Sequence, residues 1–165
     1  MRFLKFVILP LLLLNSSNLF AQTIDSIHYG WVVYEINENT EDKKCYIATT
    51  AHKKNSSYTG SRNPYLAITR YSKNKIEEIS LYSGYEYKIN QNVHLLIGDQ
   101  SHILFTKDDT AWAKNRNEDK KIIQSMLASK LVKARSDSSV GNYAIDQYSL
   151  KGFSRAYSRM RKLCK

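Results

Sequence analysis

Very little in this chain is equipped for covalent chemistry. Among its 165 residues only two are cysteine, two are proline and six are glycine. There is no Gly-x-Ser-x-Gly elbow, no cysteine–histidine arrangement that would make a thiol nucleophilic, and no glycine-rich loop to cradle a phosphate. Paired acids occur at Glu77-Glu78 and Asp108-Asp109, and a strand surface and a turn account for them without acid–base work. Nucleophile, base and orienting group cannot be assembled even in outline. The expectation is a protein with no catalytic residues and no cofactor.

A metal centre fares no better. Of the four histidines, His28, His52, His94 and His102, only the last two invite pairing, across a hairpin from Val93 to Thr106. With Gly98 to Ser101 as its loop, Ile97 stands opposite His102 and His94 opposite Phe105, which sends the imidazoles to opposite faces. No carboxylate or cysteine sits beside them at ligand spacing, so no metal is expected.

A long apolar run is missing too. Phe6 to Leu14 is apolar apart from Pro10, well short of the roughly 20 residues that span a bilayer. Arg2 and Lys5 precede it and Leu19-Phe20-Ala21 follows it, the pattern of a secretory leader cleaved before Gln22. Residues 1–21 are therefore read as a signal peptide and 22–165 as a single domain. Loss of Arg2 and Lys5 lowers the formal net charge from +10, which leaves the mature part clearly basic. Both cysteines, Cys45 and Cys164, lie in that exported part. An exported chain with two thiols pairs them, with a stabilisation of about 2–4 kcal/mol; an unpaired reactive thiol is the alternative.

What is present is β-forming sequence. Tyr29–Ile36, Cys45–Thr50, Tyr65–Tyr71, Lys75–Tyr82, Val93–Ile97, His102–Thr106, Leu131–Ala134 and Tyr143–Tyr148 are dense in β-branched and aromatic residues, and each reads as a strand. Gln22 to His28 reads as a polar lead-in, and His52 to Asn63 as a polar loop. Helical spacing appears only late. Asn117 resembles an N-cap before Ile122, Ile123, Met126 and Leu127, giving a helix near 118–128. Leu150, Phe153, Tyr157, Met160 and Cys164 recur at steps of three and four, giving a helix near 150–164 with Ser149 as its N-cap. Strands without alternating helices favour an antiparallel β-sandwich over a parallel α/β sheet. Trp112 is expected to plug the edge of its core.

The segment Asp146-Gln147-Tyr148-Ser149-Leu150-Lys151-Gly152-Phe153-Ser154-Arg155-Ala156, with Cys164 beyond it, resembles the invasion-associated locus B family of exported bacterial proteins. The resemblance continues through Cys45-Tyr46-Ile47, Pro64-Tyr65-Leu66, Ser83-Gly84-Tyr85, Ala111-Trp112 and Ile122-Ile123. Tyr34 stands where some members carry a further cysteine. The resemblance implies an immunoglobulin-like β-sandwich in the periplasm or on the cell surface of a Gram-negative bacterium, counted among host-invasion factors and without enzyme activity.

One charged feature remains. Lys151, Arg155, Arg159 and Lys162 lie opposite the apolar stripe of the last helix, as a solvated face or as a contact for an anionic surface. The partner expected is an unidentified protein or an anionic envelope or host surface, with peripheral membrane association. Nucleic acid is not expected, because no aromatic–basic stacking platform is evident. A periplasmic structural or chaperone-like factor with no host contact is the alternative function.

Overall fold

The computed structural model describes residues 22–37 and 40–165; the expected leader, residues 1–21, lies outside the described residues. Eleven strands and two helices follow one another as β1 (Gln22–His28), β2 (Trp31–Ile36), β3 (Lys44–Thr50), β4 (Lys53–Ser56), β5 (Tyr65–Tyr71), β6 (Glu77–Tyr82), β7 (Asn92–Ile97), β8 (Gln100–Lys107), β9 (Thr110–Ala113), α1 (Arg116–Leu127), β10 (Leu131–Asp137), β11 (Tyr143–Ser149) and α2 (Phe153–Leu163). The mainly β, antiparallel class with two late helices agrees with expectation. The strands nevertheless join in one open sheet, in the order β1-β2-β3-β5-β6-β9-β8-β7-β10-β11-β4. A separate two-sheet, immunoglobulin-like topology is not what the ladder shows.

Alternation decides which way each strand faces. Trp31, Val33, Cys45, Ile47, Leu66 and Ile68 turn inward from β2, β3 and β5, and all are fully buried. From the other half of the sheet Val93, Leu95, Leu104, Val132 and Ala144 join the same core. A single core from eleven strands requires the sheet to curl. The indole N–H of Trp31 on β2 donates to the carbonyl of Ser149 on β11 at 3.0 Å, although eight strand spacings, roughly 40 Å in a flat sheet, separate the two along the ladder. The helices cover the inner side of this curl: α1 lies against β6, β7 and β9, and α2 against β1, β2 and β3.

Several local readings need correction. Gln22–His28 is an edge strand, turned into β2 through Tyr29 and Gly30, with His28 opposite Trp31. Its outer positions never reach the core, so it lacks the apolar alternation that marks a buried strand. Lys53–Ser56, inside the expected loop, pairs with β11; its four polar residues form the other edge. The β7–β8 turn is two residues, Gly98 and Asp99, so Leu95 stands opposite His102 and His94 opposite Ile103. The shift is by two residues, which preserves parity, and the two imidazoles do fall on opposite faces. Trp112 is not the core plug. Ala111 takes the buried position, and Trp112 lies on the outer face with Phe105, ring centroids 5.8 Å apart. The α1 N-cap is Asn115, whose side chain accepts from the backbone N–H groups of Asn117 and Glu118. Ser149 ends β11, and α2 starts from Gly152 instead.

Candidate functional site

Gly152 opens α2 in the left-handed region at φ 90°, which glycine adopts without the penalty a Cβ brings. A Cβ there would also run into the backbone carbonyl of His28, so the start of α2 lies directly against the end of β1. From this point the apolar stripe behaves as its spacing predicts. Leu150, Phe153, Tyr157, Met160 and Cys164 are all buried, and Ala156 joins them. Phe153 packs on Trp31 with ring centroids 4.9 Å apart.

The stripe ends in a covalent bond. Cys164 is joined to Cys45 on β3, with the Cα atoms 5.9 Å apart, so neither thiol is free. Polar contacts fix the same end. Arg70 on β5 donates from Nε to the Cys164 carbonyl at 2.8 Å, and from Nη1 to Glu77 at 2.6 Å. The Tyr157 hydroxyl donates to the other oxygen of Glu77 at 2.7 Å, and burial, with the neighbouring carboxylate, pushes the Tyr157 phenol up to about 12. A second buried ion pair holds the opposite end of the curl. Arg62, in the segment read as a polar loop, forms two bonds of 2.7 Å to Asp146 on β11 and a third, at 3.1 Å, to the Ser83 carbonyl. Nothing local in the sequence distinguishes Arg62 from its surface neighbours; only Asp146 stood in a recognisable motif.

Of the four cations expected on the last helix, Arg155, Arg159 and Lys162 lie on α2 whereas Lys151 precedes its Gly152 N-cap, and they differ in how much charge they present. Lys151, Arg155, Arg159 and Lys162 are all exposed. Arg159 is committed to Asp25 on β1 through bonds of 2.6 and 2.8 Å, and those bonds hold the Asp25 carboxyl down at about 2. Lys151 lies over the Tyr29 ring, 4.3 Å from its centroid, which keeps its charge intact. Arg155 and Lys162 have no carboxylate within ion-pair distance among the described residues.

Ser154, Ser158, Arg161, Lys162 and Lys165 line a hollow of about 370 Å³ between α2 and the end of α1. Hydroxyls and cations converging at one place suit an anionic group. Arg161 gives part of its charge to Glu77 at 3.5 Å, and Lys162 and Lys165 supply the rest. No cluster of three or more metal-ligating side chains exists among the described residues. His94 is exposed, while His102 is buried and hydrogen-bonded to Ser125 at 2.9 Å. No described helix is long and apolar enough to cross a membrane.

A protein-family model described as "Invasion associated locus B (IalB) protein" matches residues 31–161. The match runs from the first residue of β2 into the last turn of α2 and includes Arg62, Asp146 and the start of the stripe. No curated protein and no solved structure matches the chain.

Proposed function

The chain belongs to the invasion-associated locus B family, and from that premise we propose that it is an exported envelope protein that acts by binding rather than by turnover. The contact surface is the exposed side of α2, and its target is an anionic surface of the host cell or of the envelope itself. One observation carries this reading. Arg155 and Lys162, with Lys165 beyond them, keep their charge on a helix that a disulfide and the Arg70 bond hold rigidly against the sheet. A rigid mount lets several cations meet a surface without the ordering cost of a flexible tail. The Cys45–Cys164 bond supports the export part of the reading, since such bonds persist in oxidising compartments.

Vesicle sedimentation tests it. The protein is expected to bind phosphatidylglycerol-containing vesicles at low salt, to leave them as salt rises, and to ignore phosphatidylcholine vesicles. A basic residue near an anionic leaflet contributes about 1 kcal/mol, so the double charge removal Arg155→Gln/Lys162→Gln should weaken binding about 30-fold. Salt-insensitive binding, or a double variant that binds like the parent, would sink the proposal. Protease accessibility on intact cells then separates the two settings: digestion supports a surface role, and full protection the periplasmic one.

A further inference from the structure

The outer face of β2, β3, β5 and β6, on the far side of the sheet from α2, carries a hollow of about 630 Å³. Its construction follows from register. Val32, Ala48, Ala67 and Ser80 are cross-strand partners in one row, and these small side chains make a floor. Two residues further along the strands in one direction stand Tyr34, Tyr46 and Thr69; two residues in the other stand Thr50, Tyr65 and Tyr82. The flanking rows are therefore about 13 Å apart at the backbone.

The tyrosines in these rows are ordered against each other. Tyr34 and Tyr46 stack at 4.5 Å with planes 9° apart, and Tyr65 and Tyr82 stack at 5.1 Å. A ring stacked on its partner in the next strand turns its second face along the sheet in the opposite direction. Tyr46 thus shows a face over Thr69, and Tyr65 a face over Thr50, diagonally across the floor. Hydroxyls of Thr50, Thr69 and Ser80 line the same hollow, and burial pushes the Tyr46 phenol up to about 12. Lys44 is the one charged residue of the lining, its ammonium 5.3 Å from the Tyr71 ring centroid and without a carboxylate partner among the described residues. Glu78 continues the Tyr34–Tyr46–Thr69 row on β6, where its carboxylate accepts from the Tyr71 hydroxyl at 2.7 Å and leaves the uronate end of the groove to Lys44.

Two aromatic faces in rows about 13 Å apart at the backbone, a span of two to three sugar rings, with hydroxyls in the same hollow and one cation at the rim, match the surface of a pyranose chain. Its axial C–H groups lie on rings, its hydroxyls bond at the edges, and a carboxylate reaches the cation. We propose that this groove binds an acidic oligosaccharide that spans the floor, with non-adjacent rings of the same chain on Tyr46 and Tyr65 and a uronate carboxylate at Lys44. This site is independent of the α2 face and lies on the opposite side of the same strands.

The probe is a hyaluronan tetrasaccharide, with chitotetraose as its neutral counterpart, each titrated against the mature protein by NMR and calorimetry. Saturable binding of hyaluronan is expected, with shifts confined to β2, β3, β5 and β6. Thr69→Trp fills the slot beside Tyr46 without touching the core and should abolish binding while the thermal melt stays that of the parent. Tyr46→Leu should weaken it about tenfold. Lys44→Gln should erase the preference for hyaluronan over chitotetraose. No saturable binding up to millimolar concentrations overturns the proposal. So does binding that survives Thr69→Trp but disappears in Arg155→Gln/Lys162→Gln, since that would place a polyanion on the helix. Equal binding of the two probes by the parent overturns the acidic assignment.

Discussion

Strands β2, β3 and β5 have two faces of similar composition and opposite character. Inward, Trp31, Val33, Cys45, Ile47 and Ile68 are sealed beneath α2 and the far half of the sheet. Outward, Val32, Tyr34, Tyr46, Ala48 and Ala67 surround an open hollow. Both faces carry aromatic and aliphatic side chains, so composition alone does not separate them. They differ in what limits their freedom. The inner face is tied by a disulfide, an Arg70 bond to the end of α2 and a buried Arg62–Asp146 pair, whereas the outer face is ordered by rings stacking on one another. Tight constraint marks the side that maintains the fold, and exposed order marks the side free to meet a ligand.

The largest expected effect belongs to the inner clasp. The Cys45–Cys164 bond spans 119 residues, a separation at which the chain-entropy model gives about 4–5 kcal/mol. Cys164→Ser should lower the thermal midpoint accordingly, and the parent in reductant should melt with the variant. Equal melting of parent and variant under oxidising conditions would end the distinction between the two faces. Next comes Asp146→Ala, which strands the Arg62 guanidinium, its side chain 5 % exposed; about 3–5 kcal/mol should be lost in denaturant titration.

A pH experiment sharpens the same contrast. Burial pushes the Asp119 carboxyl on α1 up to about 6 from 3.8, against the opposing bond from the Ile79 N–H. Between those values the native state holds a proton that the unfolded chain has released. The stability linked to Asp119 is therefore complete below about pH 4 and is lost as pH rises through 6. Asp119→Asn keeps the acceptor for Ile79 but cannot ionise. It should match the parent at pH 4, gain on it between 4 and 6, and hold that gain above; a variant that loses ground as pH rises would contradict the assignment. The smallest effect is on the outer face. Tyr34→Ala removes one stacked pair, about 0.5–1.5 kcal/mol, and a loss as large as that of Asp146→Ala would mean that the outer rings hold the fold together after all.

The legible parts of this fold were those whose signal is local. The α2 stripe from Leu150 to Cys164 repeats within a few turns, and Tyr65–Tyr71 is bounded by Pro64 and a turn, so both emerge where expected. With two cysteines in the chain, an intramolecular bond had a single possible partner. Features made by register were hidden. Ala48, Ala67 and Ser80 are unexceptional apart, and they become a floor only because β3 pairs with β5 and β5 with β6. Edge strands β1 and β4 bury little, so their sequences carry no core pattern. The single curled sheet depends on contacts such as Trp31 to Ser149, 118 residues apart, which no window along the chain can contain.

The placement of the clasp also has a consequence in time. A ribosome adding 5–20 residues per second takes about ten seconds to travel from Cys45 to Cys164. Throughout that interval the thiol of Cys45 has no partner, and β3 has no helix to cover its inner side. The protein is thus committed to finishing its fold after its last helix arrives, and the quality of its assembly depends on how well the half-made sheet is kept from other chains until then.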